Sequence, residues 1–197
     1  MKSLSLALAA SLAAISLGEA QTHGDRGGSI IAATASALAG PTSTLTLTSA
    51  TTAYSSGQLI ANNATAGSVV VPSLTLPASN QTAFVPRVRL SINDATSTAW
   101  GGVGVQIDLW SAAPTFGAGD RAGWSLSTGA AAHLGAYSCT MSAEGGDGVY
   151  AECAPAVGTA PAYVLSGSTI YWTAQTTSAS GVTGASKTMA LTAEALQ

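Results

Sequence analysis

The sequence predicts an all-β fold, an antiparallel β-sandwich of jelly-roll-like type, preceded by an N-terminal arm. From Pro41 onward, short segments place apolar residues at every second position, the period of a half-buried strand. Between them lie turn clusters such as Asn62–Gly67, Asn93–Ser97 and Gly117–Asp120, at the spacing of a sandwich or barrel. Only 8% of the residues are charged, while 22 glycines and 7 prolines punctuate the chain. No alternation of strands with helices suggests a parallel sheet.

In chain order, residues 1–40 read as the arm and residues 41–197 as the sandwich domain. Lys2, the apolar run from Leu4 to Leu17 and the small-residue stretch Gly18-Glu19-Ala20 have the grammar of a secretory signal peptide. The run is short for a transmembrane helix. The competing reading is an apolar arm that docks on a partner through Leu4, Leu8, Leu12 and Ile15. Ile30 to Leu38 reads as a short helix ended by Gly40-Pro41.

Thr44 to Thr48 alternates strictly, with threonines on one face and leucines on the other. Val69 and Val71 share one parity and Leu74 and Leu76 the other, so the frame switches at Pro72, which marks an edge or a bulge. Val88, Leu90 and Ile92 point opposite to Arg87, Arg89 and Ser91. Gly101-Gly102-Val103-Gly104 reads as a hairpin turn rather than a phosphate cradle, because it lacks the flanking strand and helix. It opens a strand whose Val103, Val105, Ile107 and Leu109 face the core and whose Gln106, Asp108 and Trp110 face away. Thr169–Thr176 and Thr188–Thr192 are the last strands, giving eight to ten in all.

Cys139 and Cys153 flank the turn signal Glu144–Gly148. A hairpin centred on Gly146 sets them opposite each other on one face, within disulfide reach. They are either a staple formed in an oxidising setting or two buried thiols in a reducing one.

The chemistry-bearing residues are few. Formal net charge is −3 with six basic residues, which leaves no footprint for a phosphate backbone. His23 and His133 stand in unrelated contexts, and a lone His133 beside Leu134 and Gly135 reads as a loop or part-buried residue rather than a catalytic base. No nucleophile elbow singles out a serine. Asp94, Asp108 and Asp120 do not follow calcium-loop spacing, and Asp120-Arg121 reads as a solvated turn pair. Trp172 shares the parity of Ile170 and belongs to the core, whereas Trp100 and Trp124 adjoin glycine-rich turns and pack under loops more readily than they offer a sugar shelf. The reading is therefore non-enzymatic, without catalytic residues, metal or cofactor.

Three ordered segments then carry a resemblance. Thr51-Thr52-Ala53-Tyr54-Ser55-Ser56-Gly57-Gln58 resembles an opening motif of small tailed-phage virion proteins. Val105–Trp110 followed by Ala113-Pro114-Thr115, and later Leu165–Trp172 with one last strand, match the continuation of that pattern. The order holds from about residue 45 to residue 195. The chain thus resembles bacteriophage head decoration, or cement, proteins. That resemblance implies a β-sandwich or jelly roll that binds the outer surface of the capsid through the major capsid protein and neighbouring copies of itself, as a homotrimer, with no nucleic acid and no membrane in the mature form. The long apolar N-terminus and the cysteine hairpin depart from the pattern. They keep open a secreted or surface-exposed binding or adhesion module, and a minor tail or fibre protein is a further alternative. A sandwich-fold glycan hydrolase ranks last, because no two carboxylates are paired across a cleft.

Overall fold

The structure is a computed structural model that describes residues 40–76, 82–92, 99–144, 148–178, 181–185 and 187–196. The proposed arm, with Leu4, Leu8, Leu12 and Ile15, the helix at Ile30–Leu38, and Asp94 lie outside the described residues. The described residues are antiparallel β with 3-10 backbone at Ala99-Trp100 and at Ala130–Ala132, and no α-helix.

Thirteen strands are described: β1 (Thr42–Thr46), β2 (Leu59–Ile60), β3 (Ser73–Thr75), β4 (Thr82–Ile92), β5 (Gly104–Trp110), β6 (Thr115–Phe116), β7 (Leu126–Thr128), β8 (His133–Thr140), β9 (Ser142–Glu144), β10 (Gly148–Pro155), β11 (Ala162–Val164), β12 (Thr169–Thr176) and β13 (Thr188–Leu196). Eleven of them form one curled sheet with the path β1-β13-β4-β10-β8-β5-β12-β2, while β6 and β7 make a separate hairpin. The sheet folds over at β10. Its first residues pair with β4, from Val149↔Ile92 to Cys153↔Val88, and its last pair with β8, as Ala154↔Ser138 and Pro155↔Tyr137. The two halves of the sheet become two layers around one core, as in a sandwich.

That core follows the alternation of the strands. Val88, Leu90 and Ile92 of β4, Val105, Ile107 and Leu109 of β5, Ile170 and Trp172 of β12, and Met189 and Leu191 of β13 are fully buried in one cluster. Arg87 and Arg89 face outward, as expected from the alternation. Pro86 is placed without loss of pairing by an irregularity opposite it, where the β13–β4 register shifts between Glu194 and Leu196. Deep in the core, Tyr137 of β8 donates to the Val85 carbonyl of β4 at 2.6 Å, tying one layer to the other.

One expectation about a turn needs correction, and another gains detail. The Gly101–Gly104 segment is a turn, with Val103 N–H donating to the Trp100 carbonyl at 3.1 Å, but it is not a hairpin. It carries the chain from β4 in one layer to β5 in the other, and these two strands do not pair. The parity switch at Pro72 is real but separates two cores. Leu74 and Leu76 enter the main cluster, whereas Val69 and Val71 pack on a second one made by Leu59, Ala61 and Phe116.

Candidate functional site: an aromatic cleft on the outer face of one layer

The second cluster lies where the chain from Ser111 to Gly129, including the β6–β7 hairpin, folds over the outward face of β5 and β12. That face of β5 carries Gln106, Asp108 and Trp110, as the alternation requires, yet Asp108 and Trp110 are buried because of this cover. The site they help to build has one further requirement, which comes from β8.

Along β5 and β8 the pairing runs Asp108↔Ala136 and Leu109↔Gly135, then shifts so that Trp110 faces His133. One extra residue, Leu134, is accommodated in β8. Leu134 packs on the main core, and His133 is turned to the opposite face, beside Asp108. A β-bulge re-aims a side chain in this way. Gly135 permits the close approach at this point, since a Cβ there would meet Thr159 Cγ2 at 2.5 Å and Tyr163 Oη at 2.9 Å.

The resulting cleft has a volume of about 230 Å³ and is lined by Asp108, Trp110, Trp124, Leu126, Ala130 and His133. His133 Nε2 lies 2.9 Å from Asp108 Oδ1. Gln106 Nε2 donates to both Asp108 oxygens at 3.1 Å. Burial raises the Asp108 carboxyl above its ordinary range, opposed by the hydrogen bonds from Gln106 and His133. Trp110 is fixed by its Nε1–H bond to Thr173 Oγ1 at 2.9 Å, and its ring stands 4.7 Å from the His133 ring and 6.5 Å from that of Trp124. Phe116 meets Trp124 edge-on at 5.2 Å. The cleft therefore joins two indole rings to one carboxylate and one imidazole. Its lining contains no serine, threonine, cysteine or lysine, and Asp108 is its single carboxylate, so it holds no carboxylate pair. Among the described residues no three His, Cys, Asp or Glu side chains are grouped to hold a metal ion.

The other residues singled out in the sequence are dispersed. Asp120 is not a solvated turn residue. Its carboxylate is buried and accepts from Thr48 Oγ1 at 2.5 Å, Tyr54 Oη at 2.7 Å and the Ala61 amide at 2.9 Å, with Arg121 Nη1 at 3.5 Å. The turn is tied to a distant segment: the Asp120 amide donates to the Asn63 carbonyl at 2.7 Å, and Gly119 packs so tightly on Ala64 that a Cβ would lie 2.1 Å from its carbonyl oxygen. Asp108 and Asp120 belong to separate constellations. Trp100 and Trp172 are fully buried, and Trp100 packs against Tyr54 with ring centroids 5.7 Å apart. Trp124 is only half-buried and lines the cleft. Cys139 and Cys153 are joined in a disulfide with Cα atoms 4.6 Å apart. Sequence reasoning placed Asp108 and Trp110 on the outward face of their strand but missed their union with His133. The alternation of Gln106, Asp108 and Trp110 was the available signal; the bulge that supplies the histidine left none.

No protein-family model matches the chain, and no curated protein or solved structure is significantly similar to it.

Proposed function

We propose that the protein is a non-enzymatic structural protein of a bacteriophage virion, a decoration protein that binds the outside of the major capsid shell and neighbouring copies of itself as a homotrimer. One observation carries this reading: the separate segments that resemble virion proteins meet in the fold. β5 and β12, which hold Val105–Trp110 and the end of Leu165–Trp172, are direct neighbours paired from Tyr171↔Trp110 to Thr176↔Val105. Thr51–Gln58 wraps the far end of the same pair, where Gly57 N–H donates to the Thr176 carbonyl at 2.7 Å and Thr176 Oγ1 donates to the Ser55 carbonyl at 2.5 Å. Tyr54, from the same segment, reaches Asp120. Ordered motifs that meet on one strand pair and at its flank support a resemblance of fold rather than of scattered tripeptides.

The outward surface supports the same reading. Thr42, Thr44 and Thr46 of β1 stand beside Thr192, Ala190 and Thr188 of β13, a row of small neutral side chains at a sheet surface. Such a surface loses little on desolvation when it is covered, and a shell repeats each modest contact many times. Quantitative mass spectrometry of purified virions tests the proposal. Hundreds of copies per particle are expected; a handful would indicate a tail or fibre component, and absence from the particle overturns the reading.

The disulfide favours a second reading, an exported β-sandwich binding module. Mass spectrometry of the mature N-terminus separates the two, since a chain beginning at Gln21 indicates export and one beginning at Met1 or Lys2 does not.

A further inference from the structure

We propose that the cleft between Trp110, Trp124 and His133 binds a single neutral sugar ring, such as the terminal residue of a glycan. The proposal rests on the cleft alone and is independent of the shell role.

The volume, about 230 Å³, suits one ring rather than an extended ligand. The lining divides into two chemistries. Trp124, Leu126 and Ala130 offer apolar surface over the buried Trp110, with the half-buried indole of Trp124 for C–H groups. Asp108 and His133 offer hydrogen bonds at one end. His133 uses only Nε2 in its bond to Asp108, so Nδ1 remains for a ligand, and the ring is about two-fifths exposed, with 38% of its side chain accessible. The Asp108 carboxylate is held in place by Gln106 and His133, yet Oδ2 keeps one lone pair beyond the bond it accepts from Gln106. These groups are positioned in advance: Trp110 by Thr173, Trp124 by Phe116, Asp108 by Gln106. Little reorganisation is needed on binding.

The same lining disfavours other ligand classes. A wholly apolar molecule would strip water from Asp108 and His133 without replacing its hydrogen bonds. A nucleotide or other anion would meet the Asp108 carboxylate, with no arginine or lysine in the lining to offset it. A metal ion would find two side-chain ligands where a stable site needs three or four. A polyhydroxylated, uncharged ring satisfies both halves of the cleft, its C–H face on the Trp124 indole and its hydroxyl edge on the carboxylate and imidazole.

Titration of the full chain with the methyl glycosides of glucose, galactose, mannose and N-acetylglucosamine, followed by tryptophan fluorescence and by saturation-transfer NMR, tests this. At least one glycoside is expected to give a saturable change with Kd on the order of 1 mM, the range open to a dozen-atom ligand. Asp108→Asn and Trp124→Leu are each expected to weaken that binding about tenfold or more, which is ~1.4 kcal/mol. Near-UV circular dichroism and the thermal midpoint establish that each variant is folded, and His133→Gln serves in place of either variant that is not. Absence of saturable binding by all four glycosides up to about 100 mM, some hundredfold above that range, overturns the proposal. So does binding that the folded variants leave unchanged. Neither result bears on the copy number in virions, so the shell reading stands or falls separately.

Discussion

At the scale of single residues, Asp120 concentrates more of the structure than any other charged group. Its carboxylate collects a threonine hydroxyl, a tyrosine hydroxyl and a backbone amide from three stretches of chain that are otherwise joined only by loops. Asp120→Ala removes the acceptor shared by Thr48, Tyr54 and the buried Ala61 amide. A hydrogen bond to a charged group contributes about 1.5–3 kcal/mol, so the variant is expected to lose about 3 kcal/mol or more in urea unfolding. Asp120→Asn keeps one acceptor oxygen and should lose visibly less. Buried tyrosines give a second prediction. Burial, as the largest cause, raises the hydroxyl pKa of Tyr54, Tyr137 and Tyr163 above the ordinary 10.0. A pKa raised in the folded state means that the folded protein holds its protons longer than the unfolded chain. Stability from these groups is complete below pH 10 and falls as pH rises beyond it. In a spectrophotometric titration at alkaline pH, the phenolate signal of these three of the five tyrosines is expected to appear together with loss of near-UV dichroism. Ionisation before unfolding would contradict it. Composition alone hides both features: a glycine-flanked Asp-Arg pair looks solvated, and the donors that hold Asp120 inside lie 59 to 72 residues away.

At the scale of elements, the ribbon formed by β8, β9 and β10 matters most. One register runs through it, from Gly148↔Glu144 through Tyr150↔Ser142 to Ala154↔Ser138, the register expected from a turn centred on Gly146. The ribbon nevertheless belongs to both layers, with its tip beside β4 and its base beside β5. Cys139 and Cys153 meet in that register where the ribbon turns from one layer to the other, with Met141 bonded to Val103 and Gly102 at the bend. The disulfide closes a separation of 14 residues, for which loop-closure entropy in the unfolded chain implies about 3 kcal/mol. The Cys139→Ser/Cys153→Ser double variant is expected to lose a comparable amount in chemical denaturation, with the sheet retained by far-UV dichroism; an unchanged midpoint would sink this. Strand existence, facing and this hairpin register were legible because each depends on residues close in sequence. The fold of the ribbon, and the bulge that points His133 at Asp108, were not. Both arise from pairing with β4 and β5, dozens of residues away, and local alternation carries no trace of them.

At the scale of the molecule, low charge and distant pairing have a joint consequence. The exposed charges described on the sheet are paired on one face, Arg87 with Glu194 and Arg89 with Glu152, and such pairs contribute little to stability. Stability must come from the core, and the core closes only when the first and last described strands are brought together. β13 lies between β1 and β4, and Thr42 pairs with Thr192 across nearly the whole domain. Met189, Leu191 and Ala193 of β13 are fully buried. Removing residues 188–196 would open the main cluster along its length and leave β1 without its partner. Losing two large core side chains alone costs about 2–5 kcal/mol each, already comparable with the ~5–15 kcal/mol by which a typical domain is stable, before the lost pairing is added. A chain ending at Lys187 is therefore expected to be unfolded by circular dichroism and rapidly cleaved by protease, even with the disulfide intact. Full-length protein should refold slowly, on the order of milliseconds to seconds or longer, because its decisive contacts join residues far apart in sequence. Stopped-flow fluorescence of the eleven-stranded sheet, read through Trp172 and Trp100 in its core, measures this directly. A microsecond phase that recovers the full native signal would mean that the end-to-end pairing is not what limits folding.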